Sequence, residues 1–504
     1  MRIFQALFIF GFLGFVLWGC GGGGSGGGGT SFTPSGRIIA VAEKSGSNVT
    51  IKVGGTKGAA PAGSTVQVTD LNTQATQTTT AAADGSFDPT FTGSTGDMFE
   101  VVVSENGNTI TDTTIGVTVI SQAVERNLAQ LGSFPTQIEI RGNMAYVVNG
   151  GSDNIQVFDL NQDPPKQVGA IVLPPGSDPN AIAFLDDTHA YVSNLTGQSV
   201  ALVNVQTEQC ELLIVRSDHV PSDAGVCQNH VTTVDDSSFE DPSGVAISNG
   251  KVYVTNSNLD QFFQPAGNGF VTVIDTKTNQ VVKTMQLSAE NAEGITAMGN
   301  RIYAVSSGNS SFDTNSGLVT PTSNGAVGVI DSATDKIVAN IPIPLNPALP
   351  LVGFPNKLEP TPDGKFGYMG SGTAGVMFKV DLENNTLVRG ADNPIIVTSA
   401  QVQDATFDVE IRDDGLGFIA VFNTDRIVVF DAATDTINPF PFIAPFPAGQ
   451  RADNPNSQFF EGIQDIAIRP GKPGTDFQGA DIFFITGISN KLGSINTALV
   501  LPPE

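Results

Sequence analysis

From about residue 134 the chain repeats a pair of landmarks seven times: an aromatic that opens one short apolar run, and an Asp or Asn that closes the next. The pairs are Tyr146/Asp159, Tyr191/Asn204, Tyr253/Asp275, Tyr303/Asp331, Tyr368/Asp381, Phe418/Asp431 and Phe483/Asn496, and five of the seven are 13 positions apart. A further apolar run precedes each aromatic. After most of the Asp and Asn residues come a tight turn and a fourth run, as in "DTKTNQVVKTM" and "DSATDKIVANI". Asp and Asn side chains bond nearby backbone N–H groups and so favour such turns. The repeating unit is thus four short antiparallel strands. It predicts an all-β ring of four-stranded units, a seven-bladed β-propeller. After Asn496 too few residues remain for a full fourth strand, so a segment within 115–131 is expected to complete blade seven and leave no open edge.

The runs "YVVN" (146–149), "YVSN" (191–194) and "YVTN" (253–256), with "VTVIDTKTNQVV" (271–282), resemble the YVTN-type propeller repeats of bacterial envelope proteins. The resemblance covers residues 134–500 and implies fold more than activity, because propellers host many functions.

The N-terminus sets the expected compartment. Arg2 precedes an apolar run, Ile3 to Trp18, broken by the single polar residue Gln5, that suits a signal peptide and is short for a membrane span. Leu17-Trp18-Gly19-Cys20 resembles the lipobox of bacterial lipoproteins, which implies acylation of Cys20 and a membrane-anchored mature chain. By that family's sorting rule, Gly21 in place of aspartate implies the outer membrane, facing either the periplasm or the outside. Residues 21–35 are almost all glycine and small polar residues, which predicts a flexible tether with a reach of roughly 20 Å. The expected division is therefore a signal segment at 1–20, a linker at 21–35, a small β-sandwich at 36–118 and the propeller at 119–504. In 36–118, "AGSTV" and "ADGSF" resemble an Ig-like module of the carboxypeptidase-regulatory type, which implies a spacer.

A net charge of −26 without a basic stripe excludes a nucleic-acid surface. There is no Cys-x-x-Cys-His for haem, and no phosphate loop. "GQSVA" (197–201) lacks the helix that a nucleophile elbow needs. In an oxidising compartment Cys210 and Cys227 are expected to form a disulfide, which would add about 3 kcal/mol. The competing arrangement is a zinc site from Cys210, His219, Cys227 and His230.

In a propeller the loops between blades share one face with those joining second to third strands, and nearly all the long insertions fall there. Loops on a rigid scaffold are where binding concentrates. Phe262, Phe263, Phe440, Phe442, Phe446, Phe459 and Phe460 lie in these insertions, where they could form a partner-binding rim or fold back on themselves. Near the starts of the inner strands stand Asp178, Asp241, Glu293, Asp404 and Glu461, with Asn180 and Asn356. As a ring of oxygen ligands they could hold Ca²⁺, or they could simply cap turns. The leading expectation is a lipid-anchored, non-catalytic binding or scaffold protein for an envelope protein or polysaccharide, with no resident cofactor. The alternative is a metal-dependent hydrolase or lactonase at the channel mouth.

Overall fold

The computed structural model describes residues 38–497, apart from 46–47, 56–58, 84, 94–97, 106, 119–123, 163, 228–230, 314–316, 444–460 and 472–479. Cys20, the glycine tract, His230, Phe446, Phe459 and Phe460 lie outside the described residues. The rest is a seven-bladed β-propeller preceded by a smaller β unit.

Each repeat is one antiparallel blade, and its innermost strand comes first in sequence. The inner strands are Pro135–Arg141, Pro179–Phe184, Pro242–Ser248, Ala292–Met298, Pro355–Pro360, Thr406–Ile411 and Ile463–Ile468. Blade seven takes only three strands from the C-terminal end of the chain. Its outer strand is Val124–Gln130, antiparallel to Lys491–Ile495 with Lys491 opposite Gln130 and Ile495 opposite Val124. The ring thus closes by pairing the two ends of the propeller, which removes the exposed edge of a three-stranded blade.

The repeated landmarks have distinct physical roles. The Asp closes the third strand and caps the following turn: Asp275 Oδ1 accepts the N–H groups of Lys277 and Thr278, both at 2.9 Å. These amides hold its carboxyl below the usual range. The turn then needs a left-handed residue, supplied by Asn279, Asp335, Asn385 and Asp435 at φ between 50° and 58°. The aromatic reaches into the next blade. Tyr191 donates to Asn279 at 2.6 Å, Tyr253 to Asp335 at 2.6 Å, and Tyr368 to Asp435 at 2.7 Å. Lys251 and Lys379 also meet Asp335 and Asp435, at 2.6 and 2.7 Å. One turn residue therefore shapes its own blade and anchors the previous one. Phe418 and Phe483 lack the hydroxyl and serve only by packing, at 2% exposure each.

Inner strands are linked around the ring as well. Gln137 accepts the Ile182 N–H (2.7 Å), Asn180 donates to Ser243 O (3.2 Å), and Thr255 donates to Glu293 O (2.9 Å). Thr296 donates to Leu358 O (2.5 Å) and Asn356 to Thr406 O (2.8 Å). Asp408 accepts the Ile466 N–H (3.1 Å), and Asp465 accepts the Ile138 N–H (2.7 Å). Seven junctions are bridged in this way, one for each pair of neighbouring blades, so inner-strand backbone groups that face away from their own sheet still find partners.

The N-terminal unit has seven strands. The long strand Asn108–Thr118 pairs antiparallel with Met98–Glu105, and near its end parallel with Ile38–Ser45. Two groups of strands thus share one member, and they pack Ile51, Val53 and Phe91 with Val66, Phe99 and Val101 in one core.

Candidate functional site

The mouth carboxylates serve the loops that lead into the inner strands. Asp178 and Asp241 are themselves left-handed, at φ 52° and 55°, a conformation the short Asp side chain tolerates. Asp241 accepts from Gln198 Nε2 and Leu259 N, both at 3.0 Å. Glu293 accepts from Asn291 (3.0 Å) and Ser307 (3.2 Å), and Asp404 from Thr398 (2.7 Å) and Thr424 (3.1 Å). Burial pushes Asp241, Glu293 and Asp404 up, against these hydrogen bonds. Glu461 is 2% exposed, and its backbone N–H donates to Asp425 at 2.9 Å. Asp178 differs from the others: its Oδ2 has no hydrogen-bond partner, and burial with Asp153 and Asp241 pushes it up to about 7. Among the described residues no group of three His, Cys, Asp or Glu side chains is disposed to hold a metal ion.

Cys210 and Cys227 are joined by a disulfide with a Cα–Cα distance of 4.4 Å. The bond ties the outer strand of blade two to the insertion that follows, whose strand Val231–Val234 adds alongside in parallel. The paired thiols leave no zinc set. His219 Nδ1 instead lies 2.8 Å from Asp218.

Asp260 organises the blade-three insertion by accepting the N–H groups of Phe262 (2.7 Å) and Gln264 (3.0 Å). The turn sends two adjacent phenylalanines in opposite directions: Phe262 is 62% exposed, whereas Phe263, at φ 57°, lines the central cavity. Val220, Leu318 and Val402 are also exposed on loops of this elaborated face, and Ile396 is exposed on the short strand Ile395–Ile396. Phe440 and Phe442 fall in the outer strand of blade six, Thr436–Ile443.

A cavity of ≈ 740 Å³ lies in the axial channel, lined by the inner strands of all seven blades. Inner strands run from the elaborated face toward the plain one, so sequence order gives depth. At the mouth stand Phe134, Phe263, Phe354, Phe407 and Phe422. Phe407 and Phe422 meet edge to face at 4.6 Å. Phe134 and Phe354 hold φ of 51° and 56°, in the position where other blades place Asp178, Asp241, Asn291 or Gly462. A bulky side chain at positive φ is costly, of order 1 kcal/mol or more.

Below the collar lies a cluster that the sequence reading missed. The inner-strand residues opposite the repeat aromatics are, from blade one, Glu139, Ala183, Ala246, Thr296, Glu359, Glu410 and Ala467. Two positions earlier come Gln137, Ala181, Gly244, Gly294, Lys357, Asp408 and Asp465. Blades five, six, seven and one therefore supply every ionisable group in these two layers. Blades two to four supply only Ala, Gly and Thr.

In this charged wall Lys357 Nζ lies 3.2 Å from Glu410. Burial works to lower its ammonium, yet Glu410, Asp408, Glu359 and Asp465 hold it well above its usual value. Burial pushes Glu410 up to about 7, with Lys357 opposing and Asp408 adding to the rise. Burial likewise raises Glu139, Glu359 and Asp465. Asp408 and Asp465 are engaged by the backbone amides of the next blade, whereas no described residue gives Glu139 or Glu359 a hydrogen bond or ion pair. The signal was present in "TQIEIR", "NKLEP", "TFDVEI" and "IQDIAI", where charges interrupt strands that read "NAIAF" or "SGVAIS" in other blades.

The fold thus places the molecule in the class of seven-bladed propellers with a ligand-sized axial cavity. No protein-family model and no curated protein sequence matches the chain. Among solved structures it is similar to hydrazine synthase of Kuenenia stuttgartiensis, at TM-score 0.51 and 17% identity over 74% of this chain and 97% of that one. Virginiamycin B lyase from Staphylococcus aureus (TM-score 0.47, 12% identity, 74% and 98% covered) and U3-55K (0.48, 11%, 74% and 97%) also align. At such identities the likeness is one of fold.

Proposed function

We propose that this protein is a lipid-anchored, non-catalytic binding propeller of the cell envelope, held at the outer membrane through Cys20 and engaging an envelope protein or polysaccharide with its elaborated face. The observation that carries the reading is the gathering of long loops on one face, with Phe262, Leu318 and Val402 left exposed on them. Isolated exposed apolar residues are ordinary, but several on the inserted loops of one face favour a partner surface. The side chains of Asp241, Glu293 and Asp404 accept hydrogen bonds from the surrounding loops, so a metal-dependent hydrolase is not favoured there. In this reading the N-terminal unit is an Ig-like spacer, and the repeats are of the YVTN envelope type. The test is cross-linking in cells between the full-length chain and its envelope neighbours. Phe262→Asp with Val402→Asp should abolish the cross-linked species, and Lys277→Asp on the plain face should leave it intact. Equal cross-linking in both variants would overturn the reading, and a Cys20→Ala chain that stays in the membrane fraction would overturn the anchor.

A further inference from the structure

We infer that the axial channel is a binding site for an organic cation, a protonated amine carried on an apolar body. This inference is independent of the partner proposed for the elaborated face. It rests first on composition around the cavity: seven carboxylates line it (Glu139, Asp178, Glu293, Glu359, Asp408, Glu410 and Asp465) against two cations, Arg141 and Lys357. Arg141 is already engaged near the plain face, with Asp187 at 3.7 Å and over the Phe184 ring at 5.2 Å. Lys357 is shared among four carboxylates. The wall is therefore short of positive charge.

The second support is unpartnered acceptors. Asp178 is 5% exposed, lines the same cavity, and leaves Oδ2 without a partner. Buried acceptors are normally satisfied, and an orphan in a cavity wall is accounted for by a ligand that donates to it. Deeper in, Glu139 and Glu359 face the same space with no hydrogen-bond donor among the described residues. Burial raises all three carboxyls, and Lys357, which opposes the rise at Glu139 and Glu359, does not offset it.

The third support is shape. Phe134 immediately precedes the strand Pro135–Arg141, and Glu139 is the fifth residue of that strand, so the collar stands roughly 13 Å above the acidic layer. The opposite wall is Ala181, Ala183, Gly244, Ala246 and Gly294, which leaves room for an apolar body. Aromatic faces attract cations as well as apolar groups, and pockets of a few hundred Å³ with apolar walls and a few polar anchors are the common form of small-ligand sites. A bare metal ion fits less well: no three ligands converge among the described residues, and the aromatic collar offers it nothing.

The test is titration calorimetry on the full-length chain at pH 7.5, with octylamine and 2-phenylethylamine as probes and with octanoate and calcium chloride as counter-probes. The amines should bind and the counter-probes should not. Glu359→Gln with Glu139→Gln should weaken amine binding at least tenfold. Ala183→Phe, which fills the bare wall without touching a charge, should do the same. Urea midpoints for each variant separate lost binding from lost fold, and if one variant unfolds the other still decides. No heat from either amine at millimolar concentration overturns the proposal. So does binding of octanoate or calcium as tight as that of the amines, or amine binding that survives both variants.

Discussion

The two halves of the inner ring solve the same packing problem with opposite chemistry. In blades two to four the strands approach so closely that a Cβ on Gly294 would fall 2.6 Å from Lys357 Cα, and one on Gly244 2.5 Å from Glu293 O. Contact there is backbone against side-chain hydroxyl or amide, as in Thr255 to Glu293 O and Thr296 to Leu358 O. In blades six and seven carboxylates take the bridging role: Asp408 and Asp465 accept backbone amides from the next strand. The bare half holds the ring at little electrostatic cost. The charged half holds it equally well but brings in acids that the fold alone leaves under-compensated, which marks it as the half kept for binding.

That contrast can be broken or sharpened experimentally. The largest effect should come from Lys357→Met, which removes the only ammonium of the charged wall: stability should fall by ~3–5 kcal/mol at pH 8 in urea titrations. Most of that loss should vanish at pH 5, where the freed carboxyls can protonate. Outside the channel, Cys227→Ser should cost ~3 kcal/mol, judged from the loop that the disulfide closes, and should do so equally at both pH values. In the bare half, Gly294→Val should cost ~2 kcal/mol through overpacking against backbone that cannot give way, again without pH dependence. Tyr253→Phe, which removes one blade-to-blade hydrogen bond to Asp335 while Lys251 remains, should cost ~1–2 kcal/mol. Smallest per pH unit is the titration of the unaltered chain. Glu410 lies at about 7 in the fold against an ordinary 4.5. A carboxyl whose pKa is raised by folding contributes stability that is complete below about pH 4.5 and is lost as pH rises through about 7. The slope should be at most ~1.4 kcal/mol per pH unit for one proton, and a urea midpoint that rises over this window would contradict it.

What was legible in the sequence follows from how local each signal is. The spacing from Tyr146 to Asp159 or from Tyr368 to Asp381 spans two adjacent strands and one turn, so the blade is visible in a short stretch of chain. Ring closure was legible too, because a missing fourth strand after Asn496 requires a donor, and Val124–Gln130 provides it. The disulfide followed from compartment and from the small number of cysteines. The mouth carboxylates are legible as residues, but the hydrogen bonds that Asp241, Glu293 and Asp404 accept from surrounding loops are not. Phe263 was grouped with Phe262, although Asp260 turns the two in opposite directions.

The channel cluster was the largest omission. Glu139 and Glu359 are 220 positions apart in the chain, and each looks like an ordinary charge on the polar side of a short strand. Sequence by itself determined the number of blades, the strand order and the turn chemistry, because period, strand pattern and Asx capping are properties of neighbouring residues. Only the tertiary structure decided that, in the two layers below the mouth, four of seven inner strands turn acids into one space and three do not. Closing the ring sets side chains from opposite ends of the chain within Coulomb reach, and burial there changes what each carboxyl can do.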